Sequence, residues 1–177
     1  MQLILVDVND VPMGTMEKME VHQKALLHRA FSIFIFNNKG EMLLQQRAAV
    51  KYHSAGLWTN ACCSHPGKGQ QTGEAAEKRL QEEMGFTVPL QKAFAFTYKA
   101  ALENGLTEYE FDHVFVGTYD GEINPDDAEV ADYCFVSMQE IKSSIATHPR
   151  KYTEWFKIAF PKVEDYLAIC KANMQLL

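Results

Sequence analysis

What this chain lacks narrows its chemistry before any motif is read. Its four cysteines, Cys62, Cys63, Cys134 and Cys170, form no CxxC pair. Their spacing therefore encodes neither a thiolate metal site nor a disulfide framework. A bond between the adjacent Cys62 and Cys63 would close a strained ring, so reduced thiols and a cytoplasmic setting are expected. Basic charge is also short: 17 Lys and Arg against 23 Asp and Glu leave a net charge of −6. That balance argues against a nucleic-acid binder with a broad basic face. Long apolar runs are missing. The longest, Ala30 to Phe36, is interrupted by Ser32, far short of the roughly 20 residues of a membrane helix. The start, MQLILVDVND, has no basic leader and carries Asp7 and Asp10 early, so it reads as a strand rather than a signal peptide. No repeat, low-complexity tract or linker divides the chain. With 177 residues, 47% of them hydrophobic, one domain over 1–177 with a sizeable core is expected.

What is present has a clear order. Leu3 to Val8 alternates as a strand and ends at Asn9-Asp10-Val11-Pro12. Arg29 to Phe36, the turn Asn37–Gly40 and Met42 to Arg47 read as two strands joined by a turn. Leu57 to Cys63 reads as extended and His65–Gly69 as a loop. Thr72 is placed to N-cap a helix that runs to Met84 and stops at Gly85. Ala93 to Lys99, Glu108 to Thr118 and Asp132 to Val136 follow as strands. Ser137 to Ile145 and Thr153 to Asn173 follow as helices, the second bent at Pro161. Strands in the middle with helices around them predict an α/β or α+β sandwich.

Several residues carry chemical potential. In TNACCSH, a continuous strand would put Thr59, Ala61, Cys63 and His65 on one face and Cys62 on the other. Most free cysteines are small core residues; that reading suits Cys62. Glu108, Glu110 and Asp112 alternate along TEYEFDHVF and share a face. Two acids alone would be a solvated face, whereas acids with imidazoles would suit Mg, Mn or Zn. Among six histidines, His22 and His28 flank the start of the first long strand and His65 ends the cysteine segment; sequence spacing cannot bring them together. On the helix, Ala76, Leu80 and Met84 form the buried stripe. Arg79 and Glu83 then lie on one shoulder, and Glu82 points to solvent. The pair is either a surface salt bridge or a site-edge carboxylate beside a phosphate-binding arginine. Lys18, Arg47, Lys51, Lys68 and Arg79 stand out in an acidic chain. Singly they are surface charges; if they converge, they make an anion site suited to a diphosphate.

Taken together, GTMEK at 14–18, LLHRAFSIFIFN at 26–37, QQR at 45–47, WTNACCSHP at 58–66, RLQEEMG at 79–85 and TEYEFDHVF at 107–115 resemble type I isopentenyl-diphosphate isomerases. The match in order and spacing covers nearly the whole chain. The resemblance implies a Nudix fold, a mixed sheet between helices. It implies that Cys63 and Glu110 are the acid and base, that Tyr98 hydrogen-bonds near them and that Trp155 faces a carbocation. It further implies a Mn, Mg or Zn site at His22, His28, His65, Glu108 and Glu110. A diphosphate-bridging Mg would be held by Glu83 and the carbonyl of Cys63, with Lys18, Arg47, Lys51 and Arg79 on the phosphates. The implied substrate and product are isopentenyl and dimethylallyl diphosphate. No nucleic-acid or membrane partner is expected, and the chain should be a monomer or weak homodimer.

The Nudix hydrolase signature is degenerate here. Aligned on Glu82-Glu83-Met84-Gly85, its Arg-Glu step holds Lys78-Arg79, and its upstream Gly and Glu positions hold Ser64 and Gln70. That departure argues against the rival reading, a Nudix-type diphosphohydrolase. A third reading, a binding module without chemistry, does not explain a thiol facing carboxylates.

Overall fold

The computed structural model describes residues 1–174. Nine strands form one sheet: β1 Gln2–Val6, β2 Pro12–Glu17, β3 His28–Phe36, β4 Met42–Arg47, β5 Trp58–Asn60, β6 Cys62–Ser64, β7 Gln91–Ala101, β8 Thr107–Thr118 and β9 Val130–Val136. Four α-helices accompany them: α1 Lys18–Lys24, α2 Thr72–Met84, α3 Met138–Thr147 and α4 Glu154–Met174. The sheet is mixed. β3 runs parallel to β8 over nine paired residues, and the other pairings are antiparallel.

The long run in β3 is apolar because both of its faces are covered. Phe31, Ile33 and Ile35 pack under α2 with Ala76, Leu80 and Met84. Phe34 packs under α4 with Phe156, Phe160 and Val163. The sheet therefore lies between helices, as expected. Gly85 ends α2 in the left-handed region at φ 77°, and a Cβ there would meet Asn124 O at 2.0 Å.

Three local expectations are corrected. β2 and α1 are additional elements between the first strand and β3. β2 carries Pro12 and Gly14 and is largely exposed, and α1 has seven residues; neither offers a periodic apolar pattern. The N-cap of α2 is Gln71, not Thr72, and it makes no side-chain cap bond. The segment 57–63 is not one strand. β5 pairs with β4 and β6 with β3, and the chain changes partner at Ala61. As expected, a single helix, α4, spans Pro161.

Candidate active site

One corner of the site gathers imidazoles and carboxylates from four parts of the chain. His22 lies on α1, which Glu17 caps by accepting from Met19 N at 2.7 Å and Glu20 N at 3.2 Å. His28 opens β3, and the parallel register sets it beside Glu110 of β8. Glu108 lies two residues earlier on the same face of β8, and His65 follows β6. All five are buried. Two of the three histidine rings are aimed by main-chain carbonyls: His22 Nδ1 donates to Lys18 O at 2.6 Å and His28 Nδ1 to Leu26 O at 2.9 Å. That choice of tautomer follows from the acceptors, because a carbonyl needs a donor.

Their Nε2 lone pairs therefore point inward. His28 Nε2 lies 3.2 Å from His65 Nε2, and His22 Nε2 lies 3.0 Å from Glu108 Oε2. His65 Nε2 lies 2.9 Å from Glu110 Oε1. Ligand atoms of His22, His28, His65 and Glu108 all fall within 4.8 Å of one another. Inward lone pairs converging on carboxylates need a cation between them, and backbone carbonyls holding the far ring nitrogens are how metal-binding histidines are oriented. The donor set fits a divalent ion.

Burial dominates the electrostatics of this corner. It pushes the Glu108 carboxyl up, with the Glu110 charge adding to it. Burial acts the same way on Glu110, but the imidazoles of His28 and His65 at its oxygens outweigh it and hold that carboxyl well below its usual range. His65 is driven down to about 3 by burial, so its ring is neutral and able to ligate.

The opposite rim is cationic. Lys18, Arg47, Lys51 and Arg79 line the same cavity as Cys63, His65, Glu108 and Glu110. Arg79 Nε lies 2.8 Å from Glu83 Oε1, and its Nη2 lies 2.8 Å from Glu129 Oε1. Lys51 pairs with the second oxygen of Glu129. Arg47 donates to Ser54 O and His53 O, each at 3.1 Å, with its guanidinium 5.2 Å from the Trp155 ring. Burial pushes Lys18, Arg47 and Lys51 below their ordinary values. Poorly hydrated cations of this kind bind an anion strongly. Lys68, by contrast, is exposed and lies away from the cavity.

Between the two ends stand the candidate reacting groups. Cys63 lines the cavity, whereas Cys62 is fully buried under α2. Burial, then the nearby Asp112, pushes the Cys63 thiol up, so it stays protonated. Tyr98 pairs with Glu110 across β7 and β8 and donates to its Oε2 at 2.6 Å. Trp155 closes one wall, with its buried Nε1 unpartnered. Glu83 is buried and accepts from Gln45 Nε2 at 3.1 Å, and the same amide nitrogen reaches Ala61 O at 2.9 Å. Glu82 is exposed and meets Lys78 and Arg79 at the surface.

Every residue that the family resemblance assigns to catalysis, substrate or metal is thus gathered at one cavity, with His22 and His28 buried behind its wall; Lys68 and Asp112 do not line it. Sequence reasoning passed over others. Tyr52, His53 and Ser64 also line the cavity. His53 sits 3.7 Å from Glu108 and 5.8 Å from the Trp155 ring, and burial, then Arg47, holds it down at about 3. Its place two residues after Lys51 was the available signal. Glu129 had none, because its role depends on β9 folding back onto β4.

Fold and site together define a class. A NUDIX domain profile matches residues 26–156, and the chain belongs to the Nudix superfamily. The fold agrees with solved structures: a MutT protein from Methanosarcina mazei Go1 superposes with a TM-score of 0.65 at 19% identity, over 78% of this chain and 94% of that one. A Deinococcus radiodurans protein, DR0079, gives 0.74 at 14% identity over 89% and 96%. Within the superfamily the chain belongs to the isopentenyl-diphosphate Delta-isomerases. It is 55% identical over 171 residues to isopentenyl-diphosphate Delta-isomerase 2 of Photorhabdus laumondii, covering 93% of this chain and 96% of that protein. It is 51% identical over 154 residues to the isopentenyl-diphosphate Delta-isomerase of Serratia proteamaculans, covering 87% and 86%.

Proposed function

We propose that this protein converts isopentenyl diphosphate into dimethylallyl diphosphate by moving a double bond through a tertiary carbocation. The observation that carries the reading is a thiol and a carboxylate lining one cavity whose rim is cationic. The unactivated alkene takes a proton at its terminal CH2, leaving a cation on the branched carbon. The neighbouring CH2 then gives up a proton, and the double bond forms there. Cys63 and Glu110 are the two proton-transfer groups, on opposite sides of the substrate. Tyr98 holds Glu110 in place through its 2.6 Å bond. Trp155 presents an aromatic wall to the cation.

Lys18, Arg47, Lys51 and Arg79 bind the diphosphate. His22, His28, His65, Glu108 and Glu110 are the residues for one divalent ion, Mn, Mg or Zn. Glu83, with the Cys63 carbonyl, would hold a Mg ion whose charge offsets that of the diphosphate. Such ions supply positive charge that keeps these carboxylates ionised and neutralises the phosphates.

The hydrolase alternative is disfavoured on the helix. Two of the positions where the signature needs glutamates hold Gln70 and Arg79, and Glu82 faces solvent. Incubation with isopentenyl diphosphate and Mg should yield the acid-labile allylic isomer; release of inorganic phosphate instead would overturn the reading. No helix among the described residues is long and apolar enough to cross a membrane.

A further inference from the structure

We propose that Asn60 is the positioning residue of the Cys63 thiol: its amide oxygen receives the S–H bond and thereby fixes how the sulfur is oriented at the cavity. The catalytic side of this inference rests on the isomerase reading above; the hydrogen bond itself does not.

Asn60 is fully buried at the end of β5, where the chain leaves β4 for β3. Both of its amide protons are spent on main-chain carbonyls, to Ile33 O at 3.0 Å and Cys62 O at 2.9 Å. A flipped amide would set its oxygen against both carbonyls, so its orientation is determined. Oδ1 consequently faces the other way. It accepts from Thr59 Oγ1 at 2.9 Å and from Cys63 Sγ at 3.1 Å. Thr59 is itself backed by Thr153, whose hydroxyl donates to it at 3.1 Å. The acceptor is therefore locked from three sides before the thiol meets it.

The other flank of the sulfur differs. Ser32 Oγ lies 3.4 Å from Cys63 Sγ, but its single proton goes to Asp112 Oδ2 at 2.7 Å. Ser32 thus offers the sulfur only lone pairs. The thiol has one proton, and the nearer and better-anchored acceptor is Asn60. Proton transfer to or from a substrate carbon needs the sulfur's geometry set before the substrate arrives, which this amide does.

The readout is the infrared S–H stretching band of the ligand-free protein, identified as the band lost in Cys63→Ala. In Asn60→Ala the band should rise in frequency toward that of an unbonded thiol. The kcat should fall roughly 10- to 100-fold with KM changed by less than about threefold. In Thr59→Val the band should fall instead, because Oδ1 then serves one donor fewer. Ser32→Ala should leave the band in place. An unmoved band in Asn60→Ala, even with a lowered Tm, makes the residue merely structural and overturns the proposal. A band that moves in Ser32→Ala rather than Asn60→Ala assigns the thiol to the serine and also overturns it. Should Asn60→Ala not fold, Thr59→Val decides alone, and an unmoved band there is fatal. Bands that shift as expected in a protein that does not isomerise isopentenyl diphosphate support the thiol bond and overturn the isomerase reading instead.

Discussion

The two ends of the cavity are built by different rules. At the imidazole end, side chains are aimed by main-chain carbonyls and by the β3–β8 register. There the fold itself sets the ring nitrogens against the carboxylates. At the cationic end, Arg79 and Lys51 are already engaged by Glu83 and Glu129. A bound diphosphate must compete with those carboxylates, so its affinity is a difference between two sets of ion pairs. The first end is organised by the fold; the second is organised by an exchange. Substitutions at the first should therefore cost turnover and stability together, and substitutions at the second should mainly change substrate or Mg dependence.

The largest expected effect tests the groups that separate the two ends. Cys63→Ala should reduce kcat by roughly 100- to 10,000-fold, the range for losing a proton-transfer group. Cys62→Ala, under α2, should keep most of the activity. Equal loss in two folded variants would dissolve the distinction between the neighbouring thiols. Next comes the imidazole end. A chelator should lower the midpoint seen by calorimetry by several degrees, since a site filled at about 100 times its Kd contributes roughly 2.7 kcal/mol. His65→Ala or Glu108→Gln should abolish that shift and lower metal content by atomic emission. Full metal occupancy in either variant would place the ion elsewhere.

A smaller effect probes the exchange end. Glu83→Gln should weaken the Mg dependence of KM by a few kcal/mol, because a charge-assisted ligand is removed. Glu82→Gln should stay within about 0.5 kcal/mol. The reverse result would mean that the carboxylate beside Gln45 is not the ligand. The smallest effect lies outside both ends. Ser137 and Glu140 form a capping box on α3, and bonds from Ser137 hold the Glu140 carboxyl below its ordinary value. A depressed folded pKa gives stability that is present above the unfolded carboxylate pKa and lost as pH falls through the folded one. The Tm difference between wild type and Glu140→Gln should therefore be present at neutral pH and vanish in acid. A difference that persisted in acid would assign the effect to packing.

Much of the frame was legible because it obeys simple periods. β3, β4, β8 and α2 were each readable from alternation, an apolar stripe or a stop at Gly85. The turning of Glu83 inward and Glu82 outward followed from the stripe Ala76, Leu80 and Met84. β2 and α1 escaped because an exposed edge strand with Pro and Gly and a seven-residue helix carry no pattern. The meeting of His28 with Glu110 depends on a parallel pairing between residues 82 apart, which no local signal encodes; the family resemblance supplied it. The face of Cys63 came out as expected, but not by one continuous alternation. Ala61 and Cys62 join the same cluster under α2, and Asn60 meets the Cys63 sulfur, because the chain breaks step at Ala61.

That break also decides where the chain can change length. Upstream of Ala61 the register belongs to β4; downstream it belongs to β3. The loop 48–57 carries no strand pairing of its own, so a residue gained or lost at exposed Val50 leaves both ladders aligned. A residue gained or lost between 61 and 65 would slide Cys63 and His65 by one step along β3. A one-step slide turns both side chains to the opposite face of the sheet, leaving Cys62 to take the pocket position without a histidine beside it. Insertions and deletions among homologous chains should therefore gather on the N-terminal side of this single alanine.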